Sequence, residues 1–201
     1  HSPANNGFTG YIQDFRVYKG VAKYTSDFVV PSPSPDILPD TPSGVSGSSK
    51  LTKITDGAVS FDGNNDYLSI ADSADFTFGT GDYTMEAYIY PTSTGSYPVI
   101  IAQYENTAGT ASWFFSLGNN TTTLEYYAYG PDVNLGPLRG GTASLNTWTH
   151  VAVTRSGSTV RLFVNGSQVD SGTWSYTHRD SSLSVTIGAS SDGGYDFTGK
   201  I

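Results

Sequence analysis

The sequence predicts an all-β fold, a two-sheet antiparallel sandwich or a barrel, and three observations carry that prediction. Strand and turn formers abound, while the strong helix formers Glu and Lys number only three and five in 201 residues. No stretch sustains a 3.6-residue apolar period, so almost no helix is expected. Short apolar runs recur at similar spacing with turn residues between them. The length suits one large sandwich with a real core and is short for two full domains.

Taken in order, residues 1–28 hold one alternating run, with Phe15 and Val17 on one face and Asp14, Arg16 and Tyr18 on the other. Residues 29–49 form a linker in which Pro31, Pro33 and Pro35 enforce an extended course before Ser and Gly loosen it. Residues 50–201 are the main domain. Ala58–Phe61 and Tyr67–Ile70 flank the turn Asp62-Gly63-Asn64-Asn65-Asp66. Tyr83–Tyr90 puts Met85, Ala87 and Ile89 on one face and Thr84, Glu86, Tyr88 and Tyr90 on the other, and Pro91 stops it. Val99–Tyr104, Ser112–Leu117 and Leu124–Tyr129 follow. Adjacent Tyr126 and Tyr127 must point to opposite faces, so at most one is core. Trp148–Arg155 and Thr159–Val164 flank a Ser156-Gly157-Ser158 hairpin loop, and Asn165-Gly166 is the strongest turn signal in the chain. Ser184–Ile187 is the last run before a Gly/Asp loop. Alternation assigns Met85, Ala87, Ile89, Val151, Val153, Leu162 and Val164 to the core, and Trp148 and Phe163 are placed there too.

Net charge is -8, and the basic residues are scattered among the acidic ones, which argues against nucleic acid. The Asp-rich surface suits Ca²⁺ or high salt. The absence of cysteine leans towards a bacterial or phage source, and no apolar run is long enough to span a membrane. The ends of the chain resemble each other. Gly7-Phe8-Thr9-Gly10-Tyr11-Ile12 matches Asp196-Phe197-Thr198-Gly199-Lys200-Ile201, with Phe8 on Phe197 and Ile12 on Ile201, which suggests tandem domains.

Ala58-Val59-Ser60-Phe61-Asp62-Gly63-Asn64-Asn65-Asp66-Tyr67-Leu68 resembles the opening of the laminin G-like (concanavalin A-like) jelly roll. Phe76–Pro91 resembles its next block, Trp148–Arg155 with Leu162–Gly166 its central hairpin, and Ile187–Ala189 leading to Phe197–Ile201 its ending. The resemblance implies a jelly-roll sandwich whose last strand has the pattern Asp-x-Arg-Val-Tyr. That pattern stands at Asp14–Tyr18, so residues 11–18 are expected to close the sandwich in circularly permuted order, or to swap into a neighbour.

Three chemistries are candidates. Glycoside hydrolysis with retention needs two carboxyls about 5–5.5 Å apart, yet Glu86 stands alone on its strand, with Glu105 and Glu125 elsewhere. His1, His150 and His178 show no triad or zinc spacing, and His150 is expected to pack beside Trp148. Ca²⁺ fits the oxygen-rich turn with Asp62, Asn65 and Asp66, and Asp14 would stand nearby if the permuted closure holds. The loop Asp192-Gly193-Gly194-Tyr195-Asp196 is a second acidic candidate, and the plain alternative for both is turn formation. Sugar binding would use exposed rings: Trp113, Tyr126, Tyr127, Tyr129, Trp174 and Tyr176 lead, Tyr97 and Tyr104 follow, and Trp113, Tyr126, Tyr129, Trp174 and Tyr176 form the selected set. The expected function is a non-catalytic carbohydrate-binding, lectin-like adhesion module of a larger repeat protein, such as a phage tail fibre or bacterial surface adhesin. Its expected partners are a cell-surface glycan or polysaccharide and neighbouring repeats, outside the cell. A structural spacer without ligand is the rival.

Overall fold

The computed structural model describes residues 10–28, 57–107 and 109–201, with side chains described from Val17 onward. The linker expected at 29–49 lies outside the described residues. Two antiparallel sheets pack face to face as a jelly-roll sandwich. The seven-stranded sheet runs β1 (Gly10–Lys19), β2 (Val59–Asp62), β13 (Thr198–Lys200), β4 (Tyr83–Pro91), β9 (Thr149–Ser156), β10 (Thr159–Val164) and β11 (Ser167–Thr173). The six-stranded sheet runs β3 (Leu68–Ile70), β12 (Val185–Ile187), β5 (Val99–Gln103), β6 (Trp113–Leu117), β7 (Thr123–Tyr129) and β8 (Asn134–Thr142). One 3-10 turn at Ala74–Phe76 is the only helical element among the described residues.

Alternation fixes the interior. Tyr83, Met85, Ala87 and Ile89 from β4 meet Trp113, Phe115 and Leu117 from β6 and Leu124, Tyr126 and Ala128 from β7. The seven residues assigned to the core by alternation are all buried. Tyr83 and Tyr126 reach across the sandwich, and their hydroxyls share a hydrogen bond of 2.7 Å. That bond satisfies two polar groups that would otherwise be costly to bury.

Two placements differ from expectation. Trp148 is 37% exposed, and its ring lies against Tyr90 on the outside. Val151 and Val153 point inward, so alternation puts Trp148 on the outward face with His150, just before the strand begins at Thr149. Phe163 is buried on the outer face instead, with Tyr24, Ala152 and Phe28, because Leu162 and Val164 take the inward positions. Two strands were also missed. β8 and β11 are edge strands, rich in Gly and polar residues, with mostly exposed or half-buried positions. They meet across the sandwich rim, where Arg139 N–H donates to Asp170 at 2.8 Å.

β1 closes the sandwich within the chain, pairing with β4 from Arg16 opposite Glu86 to Lys19 opposite Tyr83. Beyond it, residues 20–28 fold back as a latch over the outer face of β4, β9 and β10. Lys23 N–H donates to the Thr84 hydroxyl at 2.9 Å, Thr154 Oγ1 donates to the Tyr24 carbonyl at 2.8 Å, and Phe28 N–H donates to the Gly166 carbonyl at 2.8 Å.

Candidate functional site

The outer face of the six-stranded sheet carries a cluster of rings. Phe114 on β6 and Tyr127 and Tyr129 on β7 point away from the core, because their neighbours Trp113, Phe115, Tyr126 and Ala128 point inward. Loops add Tyr97, Tyr104 and Tyr195. Tyr127 and Tyr129 lie nearly parallel, 6.3 Å apart with an interplanar angle of 14°. Tyr104 touches Phe114 at 4.6 Å, Tyr129 at 5.7 Å and Tyr195 at 6.1 Å. A Cβ added at Gly136 on β8 would fall 2.4 Å from the Tyr127 ring, so the bare glycine makes room for that ring. The five tyrosines are half-buried, so each leaves part of its ring or hydroxyl open to solvent.

Polar groups rim this platform. Glu125 is buried and fully engaged: Arg139 Nε meets one carboxylate oxygen at 2.6 Å, and the Tyr127 hydroxyl donates to the other at 3.1 Å. Asp192 accepts from the Asn106 backbone N–H at 3.1 Å and from the Ser190 hydroxyl at 2.5 Å. Burial, together with neighbouring Tyr195 and Asp192, pushes Tyr104 up to about 12. Burial and Glu125 do the same to Tyr127, also to about 12. Both therefore keep their protons at neutral pH; the Tyr127 proton goes to Glu125 and the Tyr104 proton to Asn106 at 3.4 Å, which leaves the hydroxyl oxygens as acceptors beside apolar ring faces. That combination suits a ligand with an apolar face and a hydroxyl edge.

Of the selected set Tyr129 joins the platform, and of the wider ring candidates Tyr127, Tyr97 and Tyr104 join it as well. Trp113 and Tyr126 are fully buried, and Trp174 is 1% exposed. No ligand can stack on these three from solvent, so they leave the candidate set as core residues. Tyr126 and Tyr127 divide as alternation demands, with Tyr126 in the core and Tyr127 on the outer face. Tyr176 is 55% exposed, but its ring contact is with Trp174 and lies outside the platform. Phe114 was missed because it sits inside an unbroken apolar run, Trp113-Phe114-Phe115, where alternation cannot choose the buried face.

The metal candidates gather differently. Asp62 accepts the Asn64 backbone N–H at 2.8 Å, and Asp66 reaches back to the Asp62 N–H at 3.4 Å, so both carboxylates brace the turn. Asn65 sits at its left-handed corner, with φ of 61°. The Asp14 side chain lies outside the described residues. The second acidic loop comes to the first: Asp196 is buried, and its Oδ1 has no hydrogen-bond partner. Burial pushes Asp196 up to about 6, reinforced by Asp62 and Asp66 and opposed by the Asn65 backbone N–H. No group of three or more His, Cys, Asp or Glu side chains among the described residues is spaced to hold a metal alone. A cation here would need backbone carbonyls or water as well.

The outer face of the seven-stranded sheet holds the other carboxylate of interest. Glu86 receives the Tyr24 hydroxyl at 2.6 Å, His150 Nε2 at 3.2 Å and Lys23 Nζ at 3.0 Å. His150 packs against Glu86, with Tyr88 and Phe28 around its ring. Burial alone would raise Glu86, but hydrogen bonds from His150 and Tyr24 and the Lys23 charge outweigh it and hold the carboxyl at about 2. Glu86 and Glu125 lie on the outer faces of different sheets, so they cannot act on one bond.

Comparison with known proteins agrees with this architecture. The model of the concanavalin A-like lectin/glucanases superfamily matches residues 62–201. Among solved structures, domains LG4-5 of the mouse laminin α1 chain match with a TM-score of 0.50 and 11% identity, covering 66% of this chain and 34% of that one. Domain 4 of an extracellular arabinanase from Geobacillus stearothermophilus, in complex with arabinotriose, matches at 0.44 and 18% identity, covering 71% and 64%. The chain thus spans about a third of the first and under two thirds of the second. At these identities the likeness concerns the fold alone. No curated protein sequence matches.

Proposed function

The chain belongs to the concanavalin A-like lectin/glucanase superfamily, and on that premise we propose that it is a non-catalytic glycan-binding module. The carrying observation is the platform of half-buried rings Tyr104, Tyr127, Tyr129 and Tyr195 on the outer six-stranded face, laid over buried Phe114. Pyranose rings present apolar C–H faces to aromatic rings and hydroxyls to polar rims, and both surfaces are here side by side. The non-catalytic reading is favoured by the carboxylates. Glu86 is sealed under the latch, and both oxygens of Glu125 are occupied by Arg139 and Tyr127. The setting we favour is an adhesion protein built of repeats, on a phage tail or a bacterial surface, facing a glycan outside the cell. The matching segments at residues 7–12 and 196–201 support the repeats. A glycan array tests the reading. The wild type should bind, and Tyr127→Ala or Tyr129→Ala should weaken binding at least tenfold without lowering the melting temperature by more than a few degrees. A wild type that binds no glycan would leave the spacer as the better reading.

A structural Ca²⁺ at the meeting of the two acidic loops is favoured by one specific observation, the buried and unpartnered Asp196 Oδ1 beside Asp62 and Asp66. All the donors are oxygens, which Ca²⁺ prefers. A bound cation would remove the repulsion that raises Asp196 and pin the loop after β2 to the loop before β13.

A further inference from the structure

The two ends of the ring platform differ in charge. At the Tyr127 end the buried Glu125 carboxylate is neutralised by Arg139, whose Nε lies 2.6 Å away. At the Tyr104 end stands Asp192, which is exposed and has no cation partner among the described residues. Backbone bonds fix its loop there. Ser191 N–H donates to the Tyr104 carbonyl at 2.8 Å, and Val99 N–H donates to the Tyr195 carbonyl at 2.9 Å. Asn106 N–H donates to Asp192 Oδ2 at 3.1 Å. Burial alone would raise Asp192, but the Ser190 hydroxyl and the Asn106 N–H outweigh it and hold the carboxyl below its ordinary 3.8. Its charge reaches Tyr104 and helps to raise that hydroxyl. An ionised carboxylate therefore borders the rings of Tyr104 and Tyr195, which lie 6.1 Å apart.

The described part of the chain brings no cation of its own to this corner. Lys19, Lys23 and Lys200 all belong to the seven-stranded sheet or its latch. The cation–π contacts among the described residues are both made there, by Lys23 on Tyr18 and Tyr24. Arg179, whose backbone N–H bonds the Tyr129 carbonyl, holds its terminal nitrogens on the carbonyls of Ala111 and Gly130. Aromatic faces beside an unpaired carboxylate attract an ammonium group, and the net charge of -8 adds a field of the same sign. An anionic glycan would meet Asp192 as a like charge. We infer that the glycan bound on the platform is cationic, built with unacetylated amino sugars, and that Asp192 is the residue that selects it. This rests on the reading of the platform as a glycan site. The apolar face of a pyranose lies on Tyr127 and Tyr129, and the ammonium of a neighbouring unit meets Asp192 beside Tyr104 and Tyr195. There it gains a charge-assisted hydrogen bond and a cation–π contact together. N-acetylation removes the charge and with it both gains.

Calorimetry at mildly acidic pH, where sugar amines are protonated, tests the class. Glucosamine oligomers are compared with their N-acetylated counterparts and with galacturonate oligomers of the same length. The wild type should bind the amine form roughly tenfold more tightly than the acetylated form, and galacturonate least. That preference should shrink as salt is raised. Asp192→Asn keeps an oxygen for the Asn106 N–H. It should bring the amine form down to the affinity of the acetylated form and leave the latter within about twofold. Should Asp192→Asn fold poorly, the wild-type ranking and its salt dependence decide alone. Equal or tighter binding of the acetylated or anionic oligomer would overturn the inference. So would an unchanged preference in a folded Asp192→Asn. A chain that binds other glycans on an array, but none bearing amines, would overturn it and leave the proposed function standing. Binding to no glycan at all would remove both.

Discussion

The two outer faces of this sandwich follow the same alternation and end in opposite states. On β4 and β9 the outward residues are Thr84, Glu86, Tyr88, His150, Ala152 and Thr154, and the chain returns as residues 20–28 to cover them. Covering turns a polar strand face into a buried network in which Glu86 meets a hydroxyl, an imidazole and an ammonium. On β6 and β7 the outward residues include Phe114, Glu125, Tyr127 and Tyr129; Phe114 and Glu125 are buried under neighbouring side chains, while Tyr127 and Tyr129 stay half open, with no strand or latch among the described residues over them. An outward ring that stays half open is available to a ligand. An outward carboxylate that is sealed becomes part of the fold's stability. What lies on top of a face, more than its composition, decides whether it binds or stabilises.

The comparison breaks most readily at Glu86. Glu86→Gln should cost about 3–5 kcal/mol, because it leaves the Lys23 ammonium and the His150 ring without their partner under the latch. Chemical denaturation measures it, and a loss below about 1 kcal/mol would mean that the latch does not seal the face. Acid should act in the same place. A carboxyl held at about 2, below its ordinary 4.5, stabilises the fold above that ordinary value and loses its contribution as pH falls from 4.5 towards 2. Melting curves across that window should fall more steeply for the wild type than for Glu86→Gln.

Next in size is a ring exchange between the faces. Tyr24→Ala should cost about 2–4 kcal/mol, since Tyr24 stacks on Phe28 at 3.5 Å and bonds Glu86. Tyr127→Ala on the open face should cost about 1 kcal/mol and fall on glycan affinity instead. Equal stability losses would show that the open face is not open. The smallest effect is at the acidic loops. Burial and two neighbouring carboxylates hold Asp196 at about 6, above its ordinary 3.8, so without metal its ionisation costs folding stability as pH rises from 3.8 through about 6. Asp196→Asn should therefore stabilise the metal-free protein at pH 7 by about 1–2 kcal/mol and abolish any rise in melting temperature with millimolar Ca²⁺. A wild type melting identically in EDTA and in Ca²⁺ would remove the cation.

The sequence by itself determined the strands that alternate. β4, β9 and β10 were legible to within a residue or so, because one face of each is apolar and a one-residue slip would bury Glu86, Thr154 or Arg161 between the sheets. The family resemblance, and not alternation, pointed to Asp14–Tyr18 as a strand, and Arg16–Tyr18 pair with Glu86–Thr84 of β4. Only the tertiary structure decided the rest. β8 and β11 carry no apolar alternation, and their strand state comes from pairing with β7 and β10. Trp113, Tyr126 and Trp174 have the chemistry of sugar-stacking rings, but their burial depends on which side of each strand meets the other sheet. Asp196 and Asp62 are far apart in the chain and neighbours in space. Local pattern encodes which residues share a face, whereas what packs on that face is set by segments far away in sequence. The binding platform, the sealed carboxylate and the meeting of the two acidic loops all belong to that second kind of information.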